Sequence, residues 1–133
     1  MHLIHVPELS DVAEYAYAAT VTPPARLVFT AGACPLDADG RTVAPGDPAA
    51  QARQAMANLE TALAAAGARL TDVVKTTVYV ASPRQADLVA AWEVVRDAFG
   101  DHDPPSTLLG VAVLGYTDQL VEVEAVAAAR QVD

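Results

Sequence analysis

The sequence predicts one α+β domain spanning residues 1–133, in which two helices cover one face of a sheet. Three observations predict it. A chain of 133 residues that is 53% apolar and only 5% aromatic has the size and composition of one packed domain. Two stretches carry apolar residues at three- and four-residue spacing, each ended by a glycine, and β-branched runs lie before, between and after them. No internal repeat, low-complexity tract or long linker divides the chain.

The elements follow in order. Tyr15-Ala16-Tyr17 falls in a predicted strand, and Leu27 to Ala31 forms another, closed by Gly32 and Pro35. Asp37-Ala38-Asp39-Gly40 marks a turn, because aspartate and glycine tolerate the backbone angles that turns require. Asp47-Pro48 starts a helix: the aspartate can accept from free N–H groups and the proline suits the first helical position. That helix runs through Ala52, Met56, Leu59 and Leu63 and stops at Gly67.

Val73 to Val80 is a β-branched strand. Ser82-Pro83 repeats the helix-start pattern, and the second helix shows Val89, Trp92, Val95 and Phe99 on one face before ending at Gly100. Asp103-Pro104-Pro105 is an extended connector. Thr107 to Val113 and Leu120 to Ala128 are the last two strands, with Gly115 to Gln119 turning between them. In the stretch Thr107 to Leu114, Leu109, Val111 and Val113 alternate with Leu108, Ala112 and Leu114, so both faces are apolar. Two helices cover only one face of such a sheet, and a second subunit is the expected lid for the other.

Charge and cysteine content exclude several function classes. The net charge is −9, with Lys75 as the one lysine and seven arginines against seventeen carboxylates. Nucleic-acid affinity rests on Lys/Arg neutralisation of phosphates, so no nucleic-acid partner is expected. No apolar run approaches the roughly 20 residues that span a bilayer, so no membrane partner is expected either. The N-terminus lacks the basic and apolar regions of a signal peptide. Cys34 is the lone cysteine, which leaves no intrachain disulfide and no thiolate cluster for zinc. It reads as a small apolar filler, and a cytoplasmic location is expected.

The last strand holds the clearest polar anomaly. In Leu120-Val121-Glu122-Val123-Glu124-Ala125-Val126, alternation puts Glu122 and Glu124 on one face, with Cα atoms about 6.5–7 Å apart. Two close carboxylates on a partly apolar face suit general acid–base work, because one is driven to keep its proton. A strand with one solvated face explains the same pattern. His2, His5 and His102 lack ligand-like spacing, so no metal is expected. Ser106-Thr107 has no GxSxG elbow around it, and no GxGxxG or P-loop supports a nucleotide cofactor. Trp92 fits the apolar stripe of the second helix as a core residue, with the edge of a pocket as its alternative place, and Tyr15 and Tyr17 offer polar handles for a pocket.

The run Gln51-Ala52-Arg53-Gln54-Ala55-Met56-Ala57-Asn58-Leu59, then Ala66-Gly67 and Asp72-Val73-Val74-Lys75-Thr76-Thr77-Val78-Tyr79-Val80, resembles the reactive-intermediate deaminase (Rid, YjgF-like) family. Thr30-Ala31-Gly32-Ala33-Cys34-Pro35 upstream, and Pro104-Pro105-Ser106-Thr107 and Val121-Glu122-Val123-Glu124-Ala125-Val126-Ala127 downstream, extend the resemblance over nearly the whole chain. It implies a chorismate-mutase-like α+β fold: a mixed sheet with two helices on one face, assembled as a homotrimer with pockets between subunits. It also implies cofactor-free hydrolysis of imine or enamine intermediates such as 2-aminoacrylate.

Carried over residue by residue, the resemblance makes Glu122 the glutamate that positions the attacking water and Tyr15 the pocket tyrosine. Gly32 becomes the glycine whose backbone faces the ligand. The rest of the implied substrate pocket is Ala31, Val89, Ser106, Thr107 and Leu108. Here the sequence departs from the family: Ala31 replaces a serine, Val89 an asparagine, Leu108 a cysteine, and Ser106 the arginine that clamps a substrate carboxylate. An arginine–carboxylate fork is directional and strong, and serine does not replace it. The expected substrate is therefore a larger or less anionic imine, enamine or related intermediate. A binding protein that uses the same pocket without turnover is the alternative: Glu122 beside Tyr15 favours the enzyme, and the missing arginine and serine favour the binder.

Overall fold

The computed structural model describes residues 1–131. Its main sheet has four strands in the order β3-β6-β4-β5, where β3 is Arg26–Phe29, β4 Val73–Val80, β5 Ser106–Gly110 and β6 Val121–Ala129. β4 and β5 run parallel and the other neighbours antiparallel, so the sheet is mixed. Helices α1 (Pro48–Ala65) and α2 (Gln85–Phe99) pack on each other and on one face of this sheet, α1 over β6 and α2 over β4 and β5. A separate ribbon pairs β1 (His2–Ile4) with β2 (Ala18–Thr20).

Local chemistry explains these elements. Asp47 caps α1, its Oδ1 accepting from the Ala50 N–H at 3.0 Å, and Pro48 follows at the first helical position. At the other end Gly67 takes a left-handed φ of 74°, which lets the Ala68 N–H reach back to the Leu63 carbonyl at 2.8 Å. Strand alternation then divides the sheet residues. Val73, Thr76, Val78 and Val80 of β4 and Val121, Val123, Ala125 and Ala127 of β6 are buried under the helices against Leu59, Leu63 and Val95. Burying each such Val or Leu stabilises the fold by about 1.5–3 kcal/mol before entropy is counted.

The opposite face carries Leu27 and Phe29 of β3, Lys75, Thr77 and Tyr79 of β4, Thr107 and Leu109 of β5, and Glu122, Glu124 and Val126 of β6. Nothing among the described residues covers it: Phe29 is 73% exposed and Leu109 43%. Among the described residues, no helix is long and apolar enough to cross a membrane.

Three sequence expectations shift. Tyr15 and Tyr17 lie outside any strand, in the segment leading to β2, where the Ala16 N–H donates to the Asp103 carbonyl at 2.8 Å. Helix α2 begins at Gln85, two residues beyond Pro83, because Ser82 Oγ accepts from the Arg84 N–H and donates to Asp87. β5 stops at Gly110, three residues short of Val113. There the backbone presses on the α2 side of the fold, and a Cβ on Gly110 would lie 3.1 Å from the Ser82 carbonyl. The apolar alternation of Val111 to Leu114 thus belongs to a loop, which leaves Val113 exposed.

Candidate functional site

Glu122 sits on the open face of β6, half-buried, where the chain after β3 runs alongside it. The Ala33 N–H donates to the Val123 carbonyl at 2.7 Å and the Val123 N–H donates back at 3.0 Å, which sets Gly32 and Cys34 beside the carboxylate. The carboxylate lies so close over Gly32 that a Cβ there would be 2.3 Å from Oε2. Only glycine permits this approach.

Two donors meet the other oxygen. Cys34 Sγ and Gln119 Nε2 each lie 3.2 Å from Oε1 of Glu122. Burial and the adjoining carboxylate push the Cys34 thiol up to about 11, so it stays protonated and can donate. Glu124 faces the same way but takes a different partner, accepting from the Tyr79 hydroxyl at 2.6 Å. That bond and burial push the Tyr79 phenol upward. The two glutamates therefore do not act as a bonded pair. Each has its own donors.

A second group of predicted residues gathers at the outer edge of β5. Tyr15, Ser106, Thr107 and Leu108 line a hollow of about 330 Å³ together with Trp92. Tyr15 and Trp92 meet edge to face, with centroids 5.7 Å apart. Trp92 is half-buried: it packs against the core and also forms one wall, the two places its position on the stripe allowed. The Ser106 hydroxyl is engaged with Thr76 Oγ1 at 2.6 Å and with the Pro104 carbonyl at 3.0 Å. Thr107 Oγ1 accepts from Lys75 Nζ at 2.6 Å, and burial lowers the lysine's proton affinity. No arginine lines the hollow. Arg96, which shares a small neighbouring hollow with Trp92 and Ser106, is paired with Glu14 and Asp97.

Within one chain the two groups stay apart. β6 and β5 are separated by β4, roughly 9.5 Å at the ordinary strand spacing, and Gly32 lies on the far side of β6 from β5. Ala31 is exposed beside Gly32, and Val89 is exposed on α2, outside the lining of the Tyr15 hollow. Among the described residues no group of three or more His, Cys, Asp or Glu is arranged to hold a metal ion. His5 instead bonds Asp103, and His102 bonds the Val73 carbonyl.

Sequence reasoning missed the scaffold behind Glu122. Asn58 Nδ2 donates to the Cys34 and Leu36 carbonyls at 2.8 and 2.9 Å, tying that segment to α1. The fully buried Gln51 donates to the Asp118 carbonyl at 2.9 Å and accepts from the Leu120 N–H at 2.7 Å, which fixes the turn that holds Gln119. The available signal was a polar line of Gln51, Gln54 and Asn58, at three- and four-residue spacing, alongside the apolar stripe of α1.

Comparison with known proteins bears on this arrangement. The endoribonuclease L-PSP family matches residues 8–129. A RutC family protein of Pyrococcus horikoshii is 36% identical over 101 residues, covering 76% of this chain and 78% of its own. The 2-iminobutanoate/2-iminopropanoate deaminase of Escherichia coli is 35% identical over 105 residues, 78% of this chain and 80% of its own. In three dimensions the Rid family protein YyfB of Yersinia pestis superposes with a TM-score of 0.84 at 29% identity, over 95% of this chain and 96% of its own.

Proposed function

Since the chain belongs to the endoribonuclease L-PSP family, the Rid or YjgF-like family that its sequence resembles, we propose that it processes a small-molecule reactive intermediate. The substrate is an imine, an enamine or a related species, and the chemistry is hydrolysis by a water that Glu122 orients, or proton transfer to and from that carboxylate. Tyr15 helps hold the substrate. The observation that carries this reading is the Glu122 carboxylate seated over the Gly32 backbone on an open sheet face, with Oε1 held by two donors. Such a group accepts a proton from water as it attacks and returns one to the leaving nitrogen.

The working pocket is completed between subunits of a homotrimer. Two features support this. The open face with exposed Phe29 and Leu109 has no cover among the described residues, and the Tyr15 hollow lies across the sheet from Gly32 and Glu122. A cyclic trimer with head-to-tail contacts sets the hollow of one subunit against Glu122 of the next. A cytoplasmic site of action fits the free thiol of Cys34.

Standard 2-aminoacrylate is not the preferred substrate. With Ser106 in place of the clamping arginine and its hydroxyl already engaged, the substrate carboxylate loses a bidentate partner worth about 1.5–3 kcal/mol. That is roughly ten- to a hundredfold in binding. With 2-aminoacrylate generated in situ by a serine dehydratase, hydrolysis barely exceeds the spontaneous rate. Turnover equal to that of an arginine-bearing relative sinks this specificity argument. RNA cleavage is disfavoured by the net charge of −9. A labelled single-stranded RNA therefore gives no saturable signal at micromolar protein and physiological salt.

The lack of an arginine in the lining of the Tyr15 hollow among the described residues also favours a second reading, a small-ligand-binding protein without turnover. Glu122→Gln separates the two. In an enzyme it abolishes turnover while folding, assembly and most of the binding persist; an unchanged rate makes the protein a binder.

A further inference from the structure

We propose that Gln119 and Cys34 are positioning residues for Glu122, converging on Oε1 so that Oε2 is the oxygen that exchanges the proton. The proposal rests on the acid–base role assigned to Glu122 above and specifies how that role is built.

The orientation of the Gln119 amide follows from its partners. Its Oε1 accepts from the Tyr116 N–H at 3.1 Å, so the other end of the amide must be the NH₂. That nitrogen donates to the Val121 carbonyl at 3.1 Å and to Glu122 Oε1 at 3.2 Å. Gln119 is only 4% exposed, and Gln51 pins the residues on both sides of it. It cannot swing away without leaving buried polar groups unpaired. Cys34 is held as firmly, since its own carbonyl accepts from Asn58 on α1. Its Sγ approaches the same oxygen from the opposite flank.

Two donors on one oxygen fix the rotation of the carboxylate, so that Oε2 stays over Gly32, where the backbone leaves space. The remaining groups around Glu122 do not compete. Tyr79, its cross-strand neighbour on β4, turns its hydroxyl to Glu124, and Glu124 on the same strand is occupied by that bond. No Lys, Arg or His nitrogen forms an ion pair with Glu122 among the described residues. The two neutral donors are thus its local source of stabilisation.

The test is the ¹³C NMR chemical shift of the Glu122 side-chain carboxyl at neutral pH in the intact protein, with the resonance assigned from Glu122→Gln. Cys34→Ala and Gln119→Leu each remove one donor and move the resonance from its wild-type position, because a carboxyl carbon reports the hydrogen bonds its oxygens accept. Cys34→Ser restores a donor and returns the resonance toward the wild-type position. A resonance unmoved by Cys34→Ala, or left displaced by Cys34→Ser, overturns the proposal. If Gln119→Leu fails to fold, the two Cys34 variants decide the matter alone. The readout needs no substrate, so its failure is distinct from a failure of the hydrolase reading, which Glu122→Gln turnover measures.

Discussion

The Tyr79 hydroxyl donates to Oε1 of Glu124 across the β4–β6 pair at 2.6 Å. This bond separates two carboxylates that look equivalent along the strand: Glu124 is tied to β4, whereas Glu122 meets Cys34 and Gln119. Glu124→Gln keeps an acceptor for Tyr79, so turnover of the true substrate stays within about twofold. Tyr79→Phe strands that acceptor and lowers stability by about 0.5–1.5 kcal/mol in urea unfolding. A loss of turnover in Glu124→Gln equal to that in Glu122→Gln brings back the paired-carboxylate mechanism.

Gly32→Ala places a methyl group 2.3 Å from Glu122 Oε2 in the present geometry, so the carboxylate must rotate off its seat. The cost is about 1–3 kcal/mol of local strain. Circular dichroism of this variant matches wild type while turnover falls at least tenfold. A fully active Gly32→Ala protein removes the oxygen-over-glycine geometry from the mechanism.

Phe29→Asp tests the open face. Phe29 is 73% exposed within the chain and contributes little to its own core, whereas an aspartate there opposes burial between subunits. Light scattering coupled to size exclusion gives three subunits for wild type and a lower mass for the variant, with unchanged helix content. A monomeric wild type ends the shared-pocket model.

Cys34 predicts an alkaline effect. Desolvation, aided by Glu122, raises its thiol from the ordinary 9.0 to about 11, so the folded chain holds that proton more tightly than the unfolded one. The resulting stability is complete below pH 9 and is lost as pH rises through about 11. Wild-type urea midpoints therefore fall more steeply between pH 9 and 11 than those of Cys34→Ala. Parallel curves contradict the assignment.

What the sequence revealed follows from how local each signal is. The Asp47-Pro48 start and Gly67 stop of α1 were legible because cap and terminator act within a few residues, and β4 was bounded by its β-branched run. The start of α2 was not, because Ser82 directs its oxygen to Arg84 and Asp87 instead of capping at Pro83. The end of β5 depends on Gly110 meeting Ser82, a tertiary contact with no sequence mark. Glu122, Gly32 and Tyr15 stood out through strand pattern and family resemblance. The role of Cys34 did not, since its partner lies 88 positions away. The spacing of Trp92 on the stripe left core and pocket edge both open, and the ring serves both, packing on the core and reaching the Tyr15 hollow.

The strand order has a consequence for synthesis. β6, the last strand in order among the described residues, is a central strand, wedged between β3 and β4. Until it inserts, β3 and β4 each present an unsatisfied edge, and Cys34 waits opposite an empty groove. The nascent chain can form α1 and its caps early, but the sheet closes only when residues 121–129 arrive.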